Sequence, residues 1–261
     1  MRDLLSRPSS NPLNLKLAAH VRLLNDDRRT LDSLAQFGIR VARAREDIIS
    51  EGDEPRAVNL ILEGWACRYK TLEDGRRQNI AFLLPGDFCD LHAYILKEMD
   101  HSIGTLTPVR YAQIPAAVFE EYTSSRPNIS RAFTWDTLVT AAIQREWTVN
   151  IGQRSALERV AHLFCELHLR LHAIGLAQDG VFELPVTQID LAEATGMTSV
   201  HINRTVQELR ARGYIHWKGK HIEVPNLRGL RNIAHFNANY LHLEHIDDQR
   251  SGVGQIREDS R

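Results

Sequence analysis

The densest chemistry in the sequence lies in the run TQIDLAEATGMTSVHINRTVQELR, residues 187–210. Asn203 and Arg204 stand side by side there, each with a planar group that makes two parallel hydrogen bonds. A guanidinium matches guanine O6 and N7, and an amide matches adenine N6 and N7. Val200 offers methyl groups able to touch a thymine methyl. Thr187, Thr198, Ser199 and His201 supply donors suited to phosphate oxygens, and Lys218 and Lys220 supply charge. From Thr198 to Glu223 the basic residues Arg204, Arg210, Arg212, Lys218 and Lys220 are set against only Glu208 and Glu223. A solvated face would carry the same bias, so the charge alone decides nothing.

A second group is Cys89, Asp90, Leu91 and His92, followed by His101 and Ser102. A thiol beside a carboxylate could serve redox chemistry, and the histidines could ligate haem or a metal; a plain buried cysteine is the simpler reading. His168 and His172 stand i, i+4, the spacing of a shared metal or of an exposed helix face. No Gly-x-Ser-x-Gly, phosphate-loop Gly-Lys-Ser/Thr or His-Glu-x-x-His occurs, and His242-Leu243-Glu244-His245 is too short. No catalytic residue and no metal site is therefore assigned, and an enzyme is not expected.

These groups need elements to position them. Thr187 can cap a helix over Gln188–Ala194, with Asp190 in its first turn. Ala192 is small where a second helix must cross, and Gly196 suits a turn with positive φ. Thr198 then caps a second helix with Ile202, Val206 and Leu209 facing inward, which turns Ser199, Val200, Asn203 and Arg204 outward. This is the helix-turn-helix pattern. His216-Trp217 and His221–Pro225, joined by Lys218-Gly219-Lys220, read as a hairpin wing, and Asn226 can cap a closing helix through Phe236.

Upstream, residues 38–122 are short alternating runs broken at Glu51-Gly52-Asp53, Glu63-Gly64, Asp74-Gly75 and Pro85-Gly86-Asp87, the signature of an antiparallel roll or sandwich. Asp74-Gly75 reads as a type I′ hairpin turn. Leu15–Phe37 has helical spacing punctuated by Asp-rich turns. A helix over residues 127–153 carries the stripe Ile129, Phe133, Val139, Ile143 and Trp147, with Trp135, Leu138 and Ala142 beside it. Two stripes can face the helix's own domain and a second chain; burial within one chain is the alternative. On the first reading a charge at Ile143 separates the pair. A second amphipathic helix follows over Ala156–Ile174. The expected organisation is α+β: a flexible tail (1–14), a sensor domain (15–126), a dimer helix (127–153), a winged helix-turn-helix (154–240) and a tail (241–261).

The 261 residues are 43% hydrophobic and 25% charged, the profile of a folded globular chain. Net charge is −1, so the whole chain does not advertise nucleic-acid binding. The three cysteines, Cys67, Cys89 and Cys165, are odd in number and widely spaced, which points to a reducing, cytoplasmic setting. No apolar run reaches a membrane span, and MRDLLSRPSSNP lacks the apolar core of a secretory signal.

The order of elements resembles the Crp/Fnr family of bacterial transcription regulators over roughly residues 15–236. The most specific pieces are Leu84-Pro85-Gly86-Asp87-Phe88 and Thr187 to Arg210. The resemblance implies a cyclic-nucleotide-binding-type β-roll, a homodimer, double-stranded DNA as partner and RNA polymerase as a further one. It gives Arg204 a base-reading role. Family members often carry glutamate at the position of Val200, so their usual half-site is not assumed. Cyclic-nucleotide binders resemble one another in Pro-Gly-Asp-Phe-x-Gly-Glu followed by Arg-Ser or Arg-Thr, the glutamate holding the ribose and the arginine the phosphate. Here Asp90 replaces the glycine, Leu91 the glutamate and His101 the arginine. Ordinary cyclic-AMP binding is therefore not expected, and either another effector or constitutive DNA binding is. The N-terminal cysteine cluster of the family's iron-sulfur sensors is missing; no cofactor is predicted, and haem stays open. The competing reading is a ligand-binding or interaction module with a degenerate DNA domain.

Overall fold

Asn11 caps the first helix, α1 (Pro12–Ala18), its side chain accepting from the Leu13 amide, and Pro12 presets the first turn. The computed structural model describes residues 11–243. Residues 1–10 of the expected leading tail lie outside the described residues, but the boundary at 14 is too late, because Leu13 and Asn14 are buried. The second tail starts later than expected: Leu241 is buried in a 3-10 turn (Ala238–Leu241), and only residues 244–261 lie outside the description. The helix expected over Leu15–Phe37 is two, α1 and α2 (Asn25–Ala35). The break comes where Asp27 accepts from the Leu24 amide at 2.9 Å and starts α2 afresh.

The roll is two antiparallel sheets. Strands β1 (Ile39–Ala42), β7 (Val109–Pro115) and β3 (Ala57–Glu63) form one, in the order β1-β7-β3. Strands β2 (Asp47–Ile49), β6 (Ser102–Thr105), β4 (Ala66–Thr71) and β5 (Arg77–Leu83) form the other, in the order β2-β6-β4-β5. The β4–β5 hairpin is not a type I′ turn, since only Gly75 has positive φ there. Gly75 donates to the Leu72 carbonyl and Leu72 to that of Arg76, a three-residue loop closed by a glycine bulge. Gly86 is needed twice over: its φ is +91°, and a Cβ there would stand 2.8 Å from the Pro12 carbonyl oxygen, where α1 crosses.

Helix α3 (Ala116–Ser124) leads into α4 (Pro127–Gln153), which spans the expected range. Then come α5 (Ala156–Ala173), β8 (Ala177–Gln178), β9 (Val181–Glu183), α6 (Gln188–Thr195), α7 (Ser199–Ala211), β10 (His216–Lys218), β11 (His221–Glu223) and α8 (Leu227–Ile233). The third sheet runs β10-β11-β9-β8. The α+β architecture of roll, long helix and winged helix-turn-helix is as expected.

The stripe assigned to a second chain is taken by this one. Ile129, Phe133, Val139, Ile143 and Trp147 are all buried. Phe133 packs on Phe88 and Phe119 with ring centres 5.1 and 5.3 Å away. Trp147 packs on Phe82 of the roll at 5.7 Å and donates to Glu166 of α5. The physical reason is that the roll and α3 cover Ile129 and Phe133, while the roll and the returning α5 cover Val139, Ile143 and Trp147. A charge at Ile143 would therefore test the fold rather than a seam. The face of α4 left in solvent holds Thr134, Leu138, Arg145 and Thr148, with Ala141 half-buried; Leu138 is 60% exposed.

One apolar cluster runs without a break from Trp65 and Phe82 of the roll, through Trp147, to Ile202 and Val206 of α7. Polar ties cross the same boundary. Arg45 grips Asp190 with two hydrogen bonds of 2.5 and 2.8 Å. Asn79 donates to Glu193 at 3.1 Å. Asp87 lies between Lys16 of α1 at 2.7 Å and Arg170 of α5 at 2.8 Å. None of the described helices is long and apolar enough to cross a membrane.

Candidate nucleic-acid interface and effector pocket

Helix α6 starts at a complete capping box. Thr187 Oγ1 accepts from the Asp190 amide at 3.2 Å, and the Asp190 carboxylate accepts from the Thr187 amide at 2.7 Å. It ends on Gly196, whose φ of +65° makes the turn. Nothing within 3.9 Å of Gly196 would oppose a Cβ, so the backbone angle and not crowding selects glycine. Thr198 caps α7 by accepting from the His201 amide at 3.2 Å.

These caps fix which side of α7 meets solvent. Ile202, Val206 and Leu209 are buried, and Ser199, Val200, His201, Asn203 and Arg204 are exposed, Val200 to 74%. The structure thus brings together, on one outward face, the residues named from the sequence. Arg204 makes no hydrogen bond or ion pair with the other described residues. Asn203 donates to Gln188 of α6 at 3.2 Å, so its amide is already oriented. Lys218 and Lys220 are exposed at the tip of the β10–β11 wing. The wing is anchored where Trp217 packs edge-on against Phe164 at 5.9 Å and donates to the Gly219 carbonyl at 2.9 Å. Its second strand stops at Glu223, two residues short of the expected Pro225. Thr187 is exposed, but its hydroxyl also donates to Asp190 at 2.8 Å. A free anion there competes with a carboxylate of the chain itself.

The second group meets in the roll around a residue that sequence reasoning missed. Arg68, 9% exposed, donates to the Cys89 carbonyl at 2.8 Å and stands 3.6 Å from Asp90. His101 joins Asp90 at 2.9 Å and Asp100 at 2.6 Å. Burial disfavours the imidazolium, but the bond to Asp90 and its charge outweigh it, with Asp100 adding, so the His101 pKa is raised. A cavity of about 390 Å³ opens beside them, lined also by Leu91, Met99, Thr137 and Thr140. Ser102 is buried and accepts from the Glu51 amide at 2.9 Å. His92 is exposed. Cys89 is 2% exposed, and burial, then Asp90, pushes its thiol far up, the opposite of a reactive thiolate.

His168 and His172 are not an exposed pair. His168 is 5% exposed, its ring nitrogens unpartnered, its pKa lowered to about 4 by burial and then by His172. No group of metal ligands forms among the described residues. The sequence held no signal for the pairing of Arg45, Asn79 and Arg170 with Asp190, Glu193 and Asp87, each in another domain.

Comparison with known proteins places the same two regions. Residues 39–126 match the family model described as a cyclic nucleotide-binding domain, and residues 158–233 match the Crp-like helix-turn-helix domain. The nitrogen fixation regulation protein FixK of Bradyrhizobium diazoefficiens is 33% identical over 72% of this chain and 79% of its own length. The transcriptional activator protein FnrL of Cereibacter sphaeroides is 27% identical over 78% of this chain and 82% of its own. Among solved structures, FixK2 from Bradyrhizobium japonicum superposes with a TM-score of 0.66 at 24% identity, covering 75% of this chain and 96% of FixK2, a likeness of fold.

Proposed function

Because the chain belongs to the Crp/Fnr family of bacterial transcription regulators, we propose that it acts in the cytoplasm as a homodimer that reads an inverted repeat in double-stranded DNA, with RNA polymerase as the partner expected of the family. The observation that carries this reading is the outward face of α7: four polar side chains and Val200, fixed by caps at both ends of the α6–α7 turn. Its N-terminal half enters the major groove, where Arg204, Asn203 and Val200 meet base edges. Thr198, Ser199, His201 and the wing lysines meet phosphates, and Thr187 does so only if Asp190 gives way. The test is selection of bound DNA from a random pool. It should return an inverted repeat with half-site centres about 34 Å apart, one helical turn. A pool with no enriched sequence would favour the interaction-module reading.

The dimer seam on this reading is the solvent face of α4. Thr134, Leu138, Ala141, Arg145 and Thr148 follow one another at steps of four, three, four and three, the heptad spacing of a two-stranded coiled coil. Leu138→Glu should dissociate the dimer, since like charges would face each other across the two-fold axis. Sedimentation at DNA-binding concentrations reads this out; a wild type already monomeric there contradicts the seam.

The pocket argues against cyclic nucleotides. Asp90 already engages the two groups, Arg68 and His101, that a phosphate would need. Losing one charge-assisted contact costs about 1.5–3 kcal/mol, and here the ribose acceptor is replaced by Leu91 as well. Isothermal titration with cyclic AMP and cyclic GMP should show no tight binding. A micromolar or tighter Kd, lost in Ser102→Ala or Asp90→Asn, would overturn this. The effector is then a different molecule, or DNA binding is constitutive.

A further inference from the structure

Only Arg154 and Ser155 separate the end of α4 from the start of α5, and the joint is tied by polar groups on every side. Arg154 bonds Glu146 at 2.6 Å and Asn150 at 3.0 Å. The buried His162 ring meets Asn150 at 3.1 Å and Glu146 at 3.2 Å. Burial, then Arg154, lowers the His162 pKa to about 3, so the ring is neutral. The decisive contact is Arg159, on the first turn of α5. Its guanidinium donates to the Ile151 carbonyl in the last turn of α4 at 3.0 Å and to that of Arg154 in the joint at 3.0 Å. It also donates to the Thr195 carbonyl at the end of α6 at 2.6 Å, the residue just before the turn glycine Gly196. All three acceptors are main-chain carbonyls, two of them at helix C-termini, whose partial negative charge favours a cation.

We propose that Arg159 is a positioning residue: it locks the reading unit to the seam helix and so sets the half-site spacing the dimer accepts. This rests on the reading of α4 as seam and α7 as DNA reader. A change of one base pair moves a half-site by about 3.4 Å and turns it by roughly 34° about the DNA axis. A reader whose α5 is bonded to two carbonyls at the end of α4 and whose α6 is bonded to the same guanidinium cannot follow that displacement. One whose joint has lost this fork, and keeps only the Arg154 and His162 ties to α4, can turn further. Arginine suits the task because its rigid fork reaches several acceptors at once, whereas a lysine ammonium is a single point on a flexible stem.

The test uses the full chain, wild type and the variants Arg159→Lys and Arg159→Gln, against the selected operator and versions with the spacer changed by one or two base pairs. Wild type should lose about tenfold or more per base pair, on the order of one misplaced base contact in each half-site, and Arg159→Lys less than about threefold. Base preference within each half-site should stay as in wild type, and sedimentation should still find the dimer. Thermal melting identifies a variant that fails to fold, and the lysine variant keeps the charge and most of the packing. Variants that retain the wild-type spacing profile, or that weaken equally at every spacing, overturn the proposal while leaving the dimeric reading intact. A wild type with no preferred spacing removes the dimeric reading and this proposal together.

Discussion

Asp87→Ala should lower the thermal midpoint by about 6–12 °C, the equivalent of roughly 3 kcal/mol in a chain of this size. Asp87 is 7% exposed, and its carboxylate bridges Lys16 and Arg170 and accepts from the Leu84 amide at 2.7 Å. Removing it strips one partner from each of two inward cations. Lys16 keeps Asp136 at 2.5 Å and Arg170 keeps Glu166 at 3.3 Å, which holds the cost near the lower end of about 3–5 kcal/mol for breaking a buried pair. Burial alone would raise the Asp87 pKa; Lys16 and then Arg170 overcome it and bring it from 3.8 down to about 2. Its contribution to stability is therefore complete above the unfolded value of 3.8 and is lost as pH falls through about 2. Asp87→Asn should remove that acid-side loss of stability. Melting followed by circular dichroism from pH 7 to pH 2 measures both effects. A midpoint shift under about 2 °C for Asp87→Ala, less than 1 kcal/mol, would show that the bridge contributes little.

Arg204→Ala should weaken operator binding by about 1–3 kcal/mol, between fivefold and a hundredfold or so, and relax preference at one base pair in each half-site. The side chain is exposed and unpaired among the described residues, so its loss costs the fold nothing. The whole effect falls on the complex. Arg204→Lys should recover little, because a point charge cannot pair with guanine O6 and N7 together. Lys218→Ala supplies the contrast: a uniform loss across sequences and a shallower salt dependence. Fluorescence anisotropy with operators altered one base pair at a time separates the two patterns. Unchanged affinity and unchanged preference in Arg204→Ala, with the melting midpoint preserved, would remove Arg204 from the interface.

What could be read from the sequence alone divides along range. The α6–α7 unit was legible because its determinants are local: Thr187 and Asp190 are three residues apart, Gly196 owes its place to one backbone angle, and Thr198 is a cap with its donor, the His201 amide, in reach. The limits of α4 were legible for the same reason. The side of α4 that meets its own chain was not. Ile143 and Leu138 are both apolar, and only the packing of the roll and of α5 against one side of the helix distinguishes them. The Arg45–Asp190 pair is 145 residues apart in sequence, and Arg170–Asp87 is 83. Charge pairs at such separation leave no periodic trace. Arg68 was missed because an alternating strand pattern marks it as one more polar position, whereas the fold buries it against the Cys89 carbonyl and beside Asp90.

The unbroken apolar cluster between roll and helix-turn-helix bears on how such a protein can be altered by descent. A helix-turn-helix transplanted from a relative would bring its own DNA preference but also a foreign inner surface against Phe82, Asn79 and Arg45. The graft would have to repack or come loose. Change is free only on the solvent side of α7, where Val200, Asn203 and Arg204 touch nothing in the core. On the proposed reading, new operators are reached by single substitutions on that face, while the two domains are inherited as one piece.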